Sequence, residues 1–356
     1  MFSFLSRKSR EPHVAVIEPS GSHVAIAPSE TLLQAALAAG IRFPHNCRVG
    51  SCGTCKCRLI EGKVHQLTDA SYVLSTEELQ QNYILACQAQ AKTDIRVIAE
   101  GIDTRVGVTV KSMGAIVESV WPLTHDIVEL SLRLDEPLTY TAGQYADLFL
   151  PGMTRPRSYS FARAPEDRPQ QLASFYVRRI PDGKFSNWAH GDSCVGSRLT
   201  ISGPFGSFCL RSDTSPILCI AGGSGLAPVK AMLEQAFRDE CARPVLFLFG
   251  ARTQNDLYCL KEMGRLSAQW KADFQFIPVL SNEAADSHWQ GQRGMVTEQL
   301  GKVNFDLSSC QAYLCGPPPM VDAAIFALRQ IGLVESRIFF DRFIDASESA
   351  LGTLQK

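Results

Sequence analysis

Apolar and polar positions change their period several times along the chain. Between His13 and Ile26, two short apolar-rich runs flank Pro19-Ser20-Gly21-Ser22, the pattern of a hairpin. Leu32, Leu33, Ala36 and Leu37 then recur at helical spacing, with Ser29 expected as the N-cap and Gly40 as the stop. The segment Cys47 to Cys57 reads as a Gly- and Cys-rich loop. Strand character returns over Asp94 to Ile98, and the polar stretch Glu100 to Gly107 marks a domain boundary. From Val108 the period is two, clearest over Asp126 to Leu134, where Leu130, Leu132 and Leu134 interleave with Glu129, Ser131 and Arg133. Further runs at Tyr145 to Leu150, Ser158 to Ala162, Leu172 to Ile180 and Leu199 to Ser202, separated by Gly and Pro turns, predict a small antiparallel β-barrel. From Pro216 strand and helix alternate. Ile217 to Ala221, a glycine loop and a helix over Pro228 to Asp239 are followed by strands at Val245 to Gly250, Phe274 to Leu280 and Ala312 to Cys315, which predicts an α/β doubly wound parallel sheet. There is no internal repeat and no low-complexity segment.

These changes predict a multi-domain chain: an N-terminal extension over 1–12, domains over 13–105, 106–212 and 213–345, and a C-terminal tail over 346–356. The length of 356 residues agrees, being too great for one ordinary core. A hydrophobic content of 45% with 20% charged residues excludes collagen-like, coiled-coil and disordered classes. With 35 Lys and Arg against 36 Asp and Glu, the chain lacks the basic footprint of a nucleic-acid binder. Arg7, Lys8 and Arg10 are followed by no apolar run and cleavage site, and the stretch Ile217 to Val229 is cut by glycines and Pro228. A cytoplasmic protein with no membrane insertion of its own, and a monomer, is therefore expected. In a reducing compartment, clustered members of the 12 cysteines are better read as metal ligands than as disulfides.

Cys47, Cys52 and Cys55 follow the spacing C-x4-C-x2-C, with Cys87 further on, which is the plant-type [2Fe-2S] ligand pattern. Gly50 and Gly53 let the loop wrap a compact cluster while the distant fourth thiolate ties it to the rest of its domain. The competing readings are a structural zinc site and a thioredoxin-like C-x-x-C, but zinc favours paired C-x-x-C knuckles and no βαβ pattern surrounds Cys52. Cys57 reads as a packed strand cysteine. Arg48 and Lys56, in and beside the loop, predict a positive rim. Further on, Gly222-Gly223-Ser224-Gly225-Leu226-Ala227-Pro228 lies between a strand and a helix, the context of a pyrophosphate loop, although it is not a G-x-G-x-x-G. The next strand ends at Gly250-Ala251-Arg252 without the acidic residue that would hold an adenosine ribose, and Arg252 is suited to meet a 2′-phosphate. Cys315-Gly316-Pro317-Pro318 closes another strand at the carboxyl edge, where such sheets bind ligands.

The cysteine pattern, Arg157-Ser158-Tyr159-Ser160, the glycine loop and Cys315-Gly316-Pro317-Pro318, in that order, resemble the ferredoxin-NAD(P)H reductase superfamily with an N-terminal ferredoxin domain. Within it the chain is most similar to reductase components of bacterial multicomponent oxygenases, those of the xylene monooxygenase type above all. The resemblance covers roughly residues 13 to 343. It implies a β-grasp (α+β) ferredoxin domain, an antiparallel flavin barrel and a doubly wound nicotinamide domain. It also implies that Arg157 neutralises a flavin phosphate, that Tyr159 lies against the isoalloxazine, and that Ser158 and Ser160 belong to the same motif, with Ser160 near N5. Tyr176, Val177 and Arg178, with Gly183, Lys184, Phe185 and Ser186, resemble the next flavin segment, where a turn feeds a short helix whose amides hold the pyrophosphate. Cys315 would neighbour the nicotinamide C4, and Asp341-Arg342-Phe343 resembles the C-terminal acid-x-aromatic element, with Asp where many relatives have Glu. Phe343 would cover the flavin.

A hydride donor gives two electrons and an iron-sulfur cluster takes one, so a flavin stands between them. The implied cofactors are FAD, a [2Fe-2S] cluster and NADH, the choice of NADH over NADPH resting on the resemblance. The implied partner is a separate terminal oxygenase, a hydrocarbon or aromatic hydroxylase that can itself be membrane-bound. A Rieske dioxygenase or a deoxysugar dehydrase is the alternative acceptor.

Overall fold

The computed structural model describes residues 11–343 except 42, 46, 47, 51, 101, 103–109, 154, 167–169 and 192. The expected boundary over Glu100 to Gly107 falls mostly outside the described residues. Two compact units are resolved, Met1–Val110 and Lys111–Lys356.

In the first unit, strands β1 (His13–Glu18) and β2 (Ser22–Ile26) form the expected hairpin. Helix α1 (Leu32–Ala38) follows, but its N-cap is Thr31 and not Ser29. The Thr31 hydroxyl accepts from the Gln34 amide while the Gln34 side chain accepts from the Thr31 amide, a reciprocal box that satisfies two orphan donors. Ser29 sits outside the helix in the left-handed region, at φ 69°. Strands β3 (Lys56–Glu61) and β4 (Val64–Gln66), the short helix α2 (Thr76–Gln80), and strands β5 (Tyr83–Leu85), β6 (Ala89–Ala91) and β7 (Ile95–Ile98) complete the unit. The sheet order is β2-β1-β7-β3-β5, with β1 and β7 parallel and the other neighbours antiparallel. Leu32, Leu33, Ala35 and Ala36 of α1 pack into one core with Ala15, Ile17 and Val97, as a β-grasp requires.

The second unit begins with six antiparallel strands: β8 (Lys111–Pro122), β9 (Ile127–Leu138), β10 (Tyr145–Phe149), β11 (Arg157–Ser160), β12 (Gln170–Arg178) and β13 (Arg198–Phe205). Their order is β11-β10-β13-β8-β9-β12. The two edges meet where Phe161 bridges Phe175 and the Ala162 amide donates to the Ser174 carbonyl at 2.8 Å, so the sheet curls into a barrel. Leu130, Leu132 and Leu134 all face its interior, as their alternation predicts. Helix α3 (Lys184–Ala189) follows β12.

The remaining strands, β14 (Ile217–Gly222), β15 (Val245–Ala251), β16 (Phe274–Leu280), β17 (Gln292–Arg293), β18 (Gln311–Gly316) and β19 (Ile338–Arg342), are all parallel, in the order β17-β16-β15-β14-β18-β19. Helices α4 (Leu226–Arg238) and α5 (Leu260–Gln269) pack on one face, and α6 (Val296–Gln299) and α7 (Pro318–Gln330) on the other. With both faces covered, β14 and β18 are buried along their whole length. The strand order reverses beside β14, and that is where such sheets bind ligands.

The barrel and the parallel sheet share a core. Ile127, Ala142, Ala162 and Tyr176 join Leu226, Val229, Met232 and Leu233 of α4 in one apolar cluster. At its edge the buried Lys230 ammonium meets Glu234 at 2.5 Å and donates to the Ala162 carbonyl, while Glu234 accepts from the Ala164 amide at 3.1 Å. Helix α4 is thereby fastened to the chain leaving β11.

Candidate functional site

The cluster loop is built by backbone turns that few residues tolerate. Gly50 and Gly53 have φ of 81° and 72°, and a Cβ on Gly50 would come within 2.8 Å of the Gln88 side chain. Strand pairing sets Lys56 opposite Leu85, and the Ala86 amide donates to the Cys55 carbonyl at 3.0 Å, so Cys55 and Cys87 are drawn together from separate segments of the unit. Cys55 and Cys87 are buried and Cys52 is half-buried. Cys47 lies outside the described residues. Hydrogen bonding to Cys87 and burial push the Cys55 thiol well above its ordinary range, with Cys52 adding to the effect. Three soft donors, two buried and one half-buried, are ill suited to stand as bare thiolates and well suited to iron, so the donor set fits a [2Fe-2S] cluster.

Cys57 is buried in β3, where burial also raises its thiol. The expected positive rim is not what the structure shows at Lys56, whose ammonium is 2.5 Å from the Glu78 carboxylate. Glu78 caps α2 and is 22 residues away in sequence, so local composition could not reveal the pairing.

On the barrel, β11 carries the proposed flavin motif. Arg157 folds back on its own loop, donating to the Pro156 and Arg155 carbonyls at 3.0 and 3.3 Å. Ser158 donates to Asp147 at 2.7 Å, Tyr159 is half-buried with its ring centroid 5.1 Å from that of Phe185, and Ser160 is buried. Barrel closure carries the end of β11 to β12, which holds Tyr176, Val177 and Arg178. Val177 and Phe185 belong to the barrel core, and the Val177 carbonyl already meets His190 Nε2 at 3.1 Å. The Tyr176 hydroxyl lies 3.4 Å from the Cys259 thiol. Gly183 caps α3 ahead of Lys184, and the Ser186 hydroxyl accepts from the Ile180 amide at 3.1 Å and donates to the Gly183 carbonyl at 3.2 Å. No side chain caps the first turn of α3, so its amides are not taken up by one.

At the carboxyl edge of the parallel sheet, strand register does what sequence distance conceals. Gly250 is opposite Gly222, and one residue earlier Ala221 is opposite Cys315 and Cys315 opposite Asp341, so four separated motifs end within one residue of the same level. The glycine segments pack backbone to backbone. A Cβ on Gly225 would lie 2.3 Å from the Cys315 carbonyl oxygen, and Gly316, at φ 143°, touches the Gly222 backbone. Ser224 lies in the short turn between Gly223 and Gly225, and Pro317 caps α7. Cys315 is fully buried, and burial together with the Asp341 carboxylate pushes its thiol well above the free-cysteine range, so it stands there as a neutral thiol. The Phe343 amide donates to the Gly316 carbonyl at 2.9 Å, and the residue packs against the core shared by barrel and sheet.

Two residues without a sequence signal, Tyr258 and Met320, join predicted ones along this edge. The Tyr258 hydroxyl donates to the Gly223 carbonyl at 2.8 Å, and Met320 backs Gly222. Arg178 is drawn to this loop, its Nη1 being the nearest heavy atom, at 3.6 Å, to a Cβ built on Gly223. Arg252 pairs with Asp256 at 3.1 Å and Asp126 at 3.3 Å. Burial works against the Asp256 carboxylate, yet hydrogen bonds from Thr253 and Arg252 hold it below the usual carboxylate range. The glycine cradle and the arginines fit a dinucleotide.

Three family profiles match the chain: a 2Fe-2S iron-sulfur cluster binding domain over residues 15–92, an oxidoreductase FAD-binding domain over 115–209 and an oxidoreductase NAD-binding domain over 219–325. The chain is 41% identical over 327 residues to a xylene/toluene monooxygenase electron transfer component of Pseudomonas putida, covering 92% of each. It is 34% identical to a propane 2-monooxygenase reductase component of Mycolicibacterium smegmatis, covering 94% of this chain and 97% of that one. Among solved structures it resembles an Amycolatopsis cytochrome P450 reductase at a TM-score of 0.82 and 31% identity, covering 94% of this chain and 99% of that one.

Proposed function

The chain belongs to the ferredoxin-NAD(P)H reductase superfamily, in the group with an N-terminal [2Fe-2S] domain, and on that premise we propose that it takes electrons from NADH and delivers them to a separate terminal oxygenase, a hydrocarbon or aromatic hydroxylase. It is an oxidoreductase with domains for a [2Fe-2S] cluster, FAD and NAD. Bound FAD would supply the conversion of a two-electron hydride into the single electrons that an iron-sulfur cluster can take.

The observation that carries the reading is the convergence of Gly250, Gly222, Cys315 and Asp341, on two successive rows, at the switch point, in a unit whose sheet and flavin barrel share one core. We assign the dinucleotide pyrophosphate to Gly222, Gly223, Ser224 and Gly225, and the nicotinamide to the Cys315-Gly316-Pro317 exit, where a neutral thiol packs without repelling the ring. Arg157, Tyr159 and Ser160 are assigned to the flavin phosphate, the isoalloxazine face and the N5 edge, with Asp341 and Phe343 on the nicotinamide side. The preference for NADH over NADPH rests on the likeness to reductase components of this group. Cys47 is proposed as the fourth cluster ligand. The proposed domain limits are 13–105, 106–212 and 213–345.

Among the described residues no helix is long and apolar enough to cross a membrane; the cytoplasm is our proposed location for the chain. The test is reconstitution. Purified protein should contain two irons and one FAD per chain and should couple NADH oxidation to product formation by a non-haem di-iron hydroxylase. NADH oxidation that reduces artificial acceptors but no hydroxylase would overturn the assignment of partner.

A further inference from the structure

Between barrel and parallel sheet a single carboxylate oxygen serves two arginines. Asp126, in the turn between β8 and β9, uses Oδ1 to accept from the Thr124 hydroxyl at 3.0 Å. Its Oδ2 accepts from Arg178 Nε at 3.0 Å and from Arg252 Nη2 at 3.3 Å. The first arginine ends β12 beside Gly223, and the second leaves β15. Arg252 is shared further with Asp256, whose Oδ1 lies 4.0 Å from His125 Nε2. His125, Asp126 and Asp256 are close enough to suggest a cation site, but two guanidiniums already supply that charge.

We infer that Asp126 is an internal stand-in for the dinucleotide phosphates: its Oδ2 holds Arg178 and Arg252 in the nucleotide-free chain, and the incoming pyrophosphate takes them over. The inference rests on the nucleotide reading above. Three observations carry it. Arg178 stands against the loop assigned to the pyrophosphate. A carboxylate and a phosphate oxygen offer a guanidinium the same kind of charge-assisted acceptor. The Asp126 side chain is only 17% exposed, so its ion pairs are screened less than those of a surface carboxylate.

The exchange has two consequences. Without it, two guanidiniums held within hydrogen-bonding distance of one oxygen would repel each other. With it, nucleotide binding must displace a bound anion, which weakens the apparent affinity and favours departure of the oxidised product.

Asp126→Asn keeps an oxygen for Thr124 and removes the competing charge. Calorimetric titration of the FAD- and cluster-loaded protein with NAD+ reads the effect without turnover. The variant should bind NAD+ roughly three- to tenfold more tightly than wild type. Inorganic pyrophosphate should compete better in the variant, while nicotinamide riboside, which has no phosphate, should bind both proteins equally. Asp126→Ala, read the same way at matched melting temperature, guards against a fold defect in the first variant. Unchanged or weaker NAD+ binding in folded variants would overturn the inference and leave Asp126 as a residue that only orients the arginines. Wild-type protein that binds no NAD+ would overturn the nucleotide reading as well.

Discussion

The cluster loop and the carboxyl edge of the parallel sheet both gather reactive residues at a point, by different means. In the loop, Cys52 and Cys55 are near neighbours in sequence, and β3–β5 pairing has only to bring Cys87 to them. At the sheet edge no two of Gly222, Gly250, Cys315 and Asp341 are local, and register alone brings them to within one residue of the same level. The loop therefore depends on what its side chains are, the edge on how closely its backbones approach. A ligand set is broken by changing one donor atom, whereas a backbone cradle is broken by adding one carbon.

The largest expected effect follows from the first half of that contrast. Cys55→Ser should remove the cluster altogether, seen as loss of iron and of its visible absorption, while NADH-dependent reduction of ferricyanide through the flavin persists. Loss of both activities in folded protein would break the comparison. Next is Gly225→Ala, which adds only a Cβ, 2.3 Å from the Cys315 carbonyl oxygen. NAD+ affinity should fall by about 100-fold, because displacement on the scale of an ångström is enough to spoil a positioned site. Stability should fall by about 1–3 kcal/mol by denaturant melting, with cluster and FAD content unchanged.

Cys315→Ala tests the neutral thiol. Flavin bleaching by NADH should slow roughly tenfold while FAD stays bound. Because burial and Asp341 raise its pKa, the thiol stays protonated where a free cysteine, with a pKa of about 8.5, is half ionised. Iodoacetamide should therefore leave Cys315 unmodified in the native chain at that pH, by mass spectrometry, and modify it after unfolding. Alkylation of the native chain would show that a thiolate forms there. The smallest effect belongs to the rim. Since Lys56 is paired with Glu78, Lys56→Ala should change turnover with the oxygenase by less than about twofold and leave its salt dependence nearly intact.

Legibility in the sequence follows the same division. The hairpin, the alternation of β9, the barrel and the strand-helix order of the last region were all readable, because period and turn residues are local signals. So was the cysteine spacing. The start of α1 was misplaced because Ser29 and Thr31 are both good capping residues, and the deciding group is the Gln34 side chain. The Lys56 half of the expected positive rim was misread because the partner of Lys56 comes from α2. Asp126, Tyr258 and Met320 carry no motif. Their positions come from pairing and packing, and a carboxylate in a turn looks the same in sequence whether it faces water or two arginines.

The core shared by Tyr176, Ala162 and α4 also bears on how such a chain can be cut and joined. A graft made near Val110 exchanges a unit that keeps its own apolar cluster, so the cluster-bearing segment is portable between electron-transfer chains. A cut between β13 and β14 would expose Ile127, Ala142, Leu226 and Met232 on both fragments and strand Lys230 without its partner carbonyl. The flavin barrel and nucleotide sheet are thus expected to be inherited, expressed and denatured together, while the iron-sulfur segment can be traded.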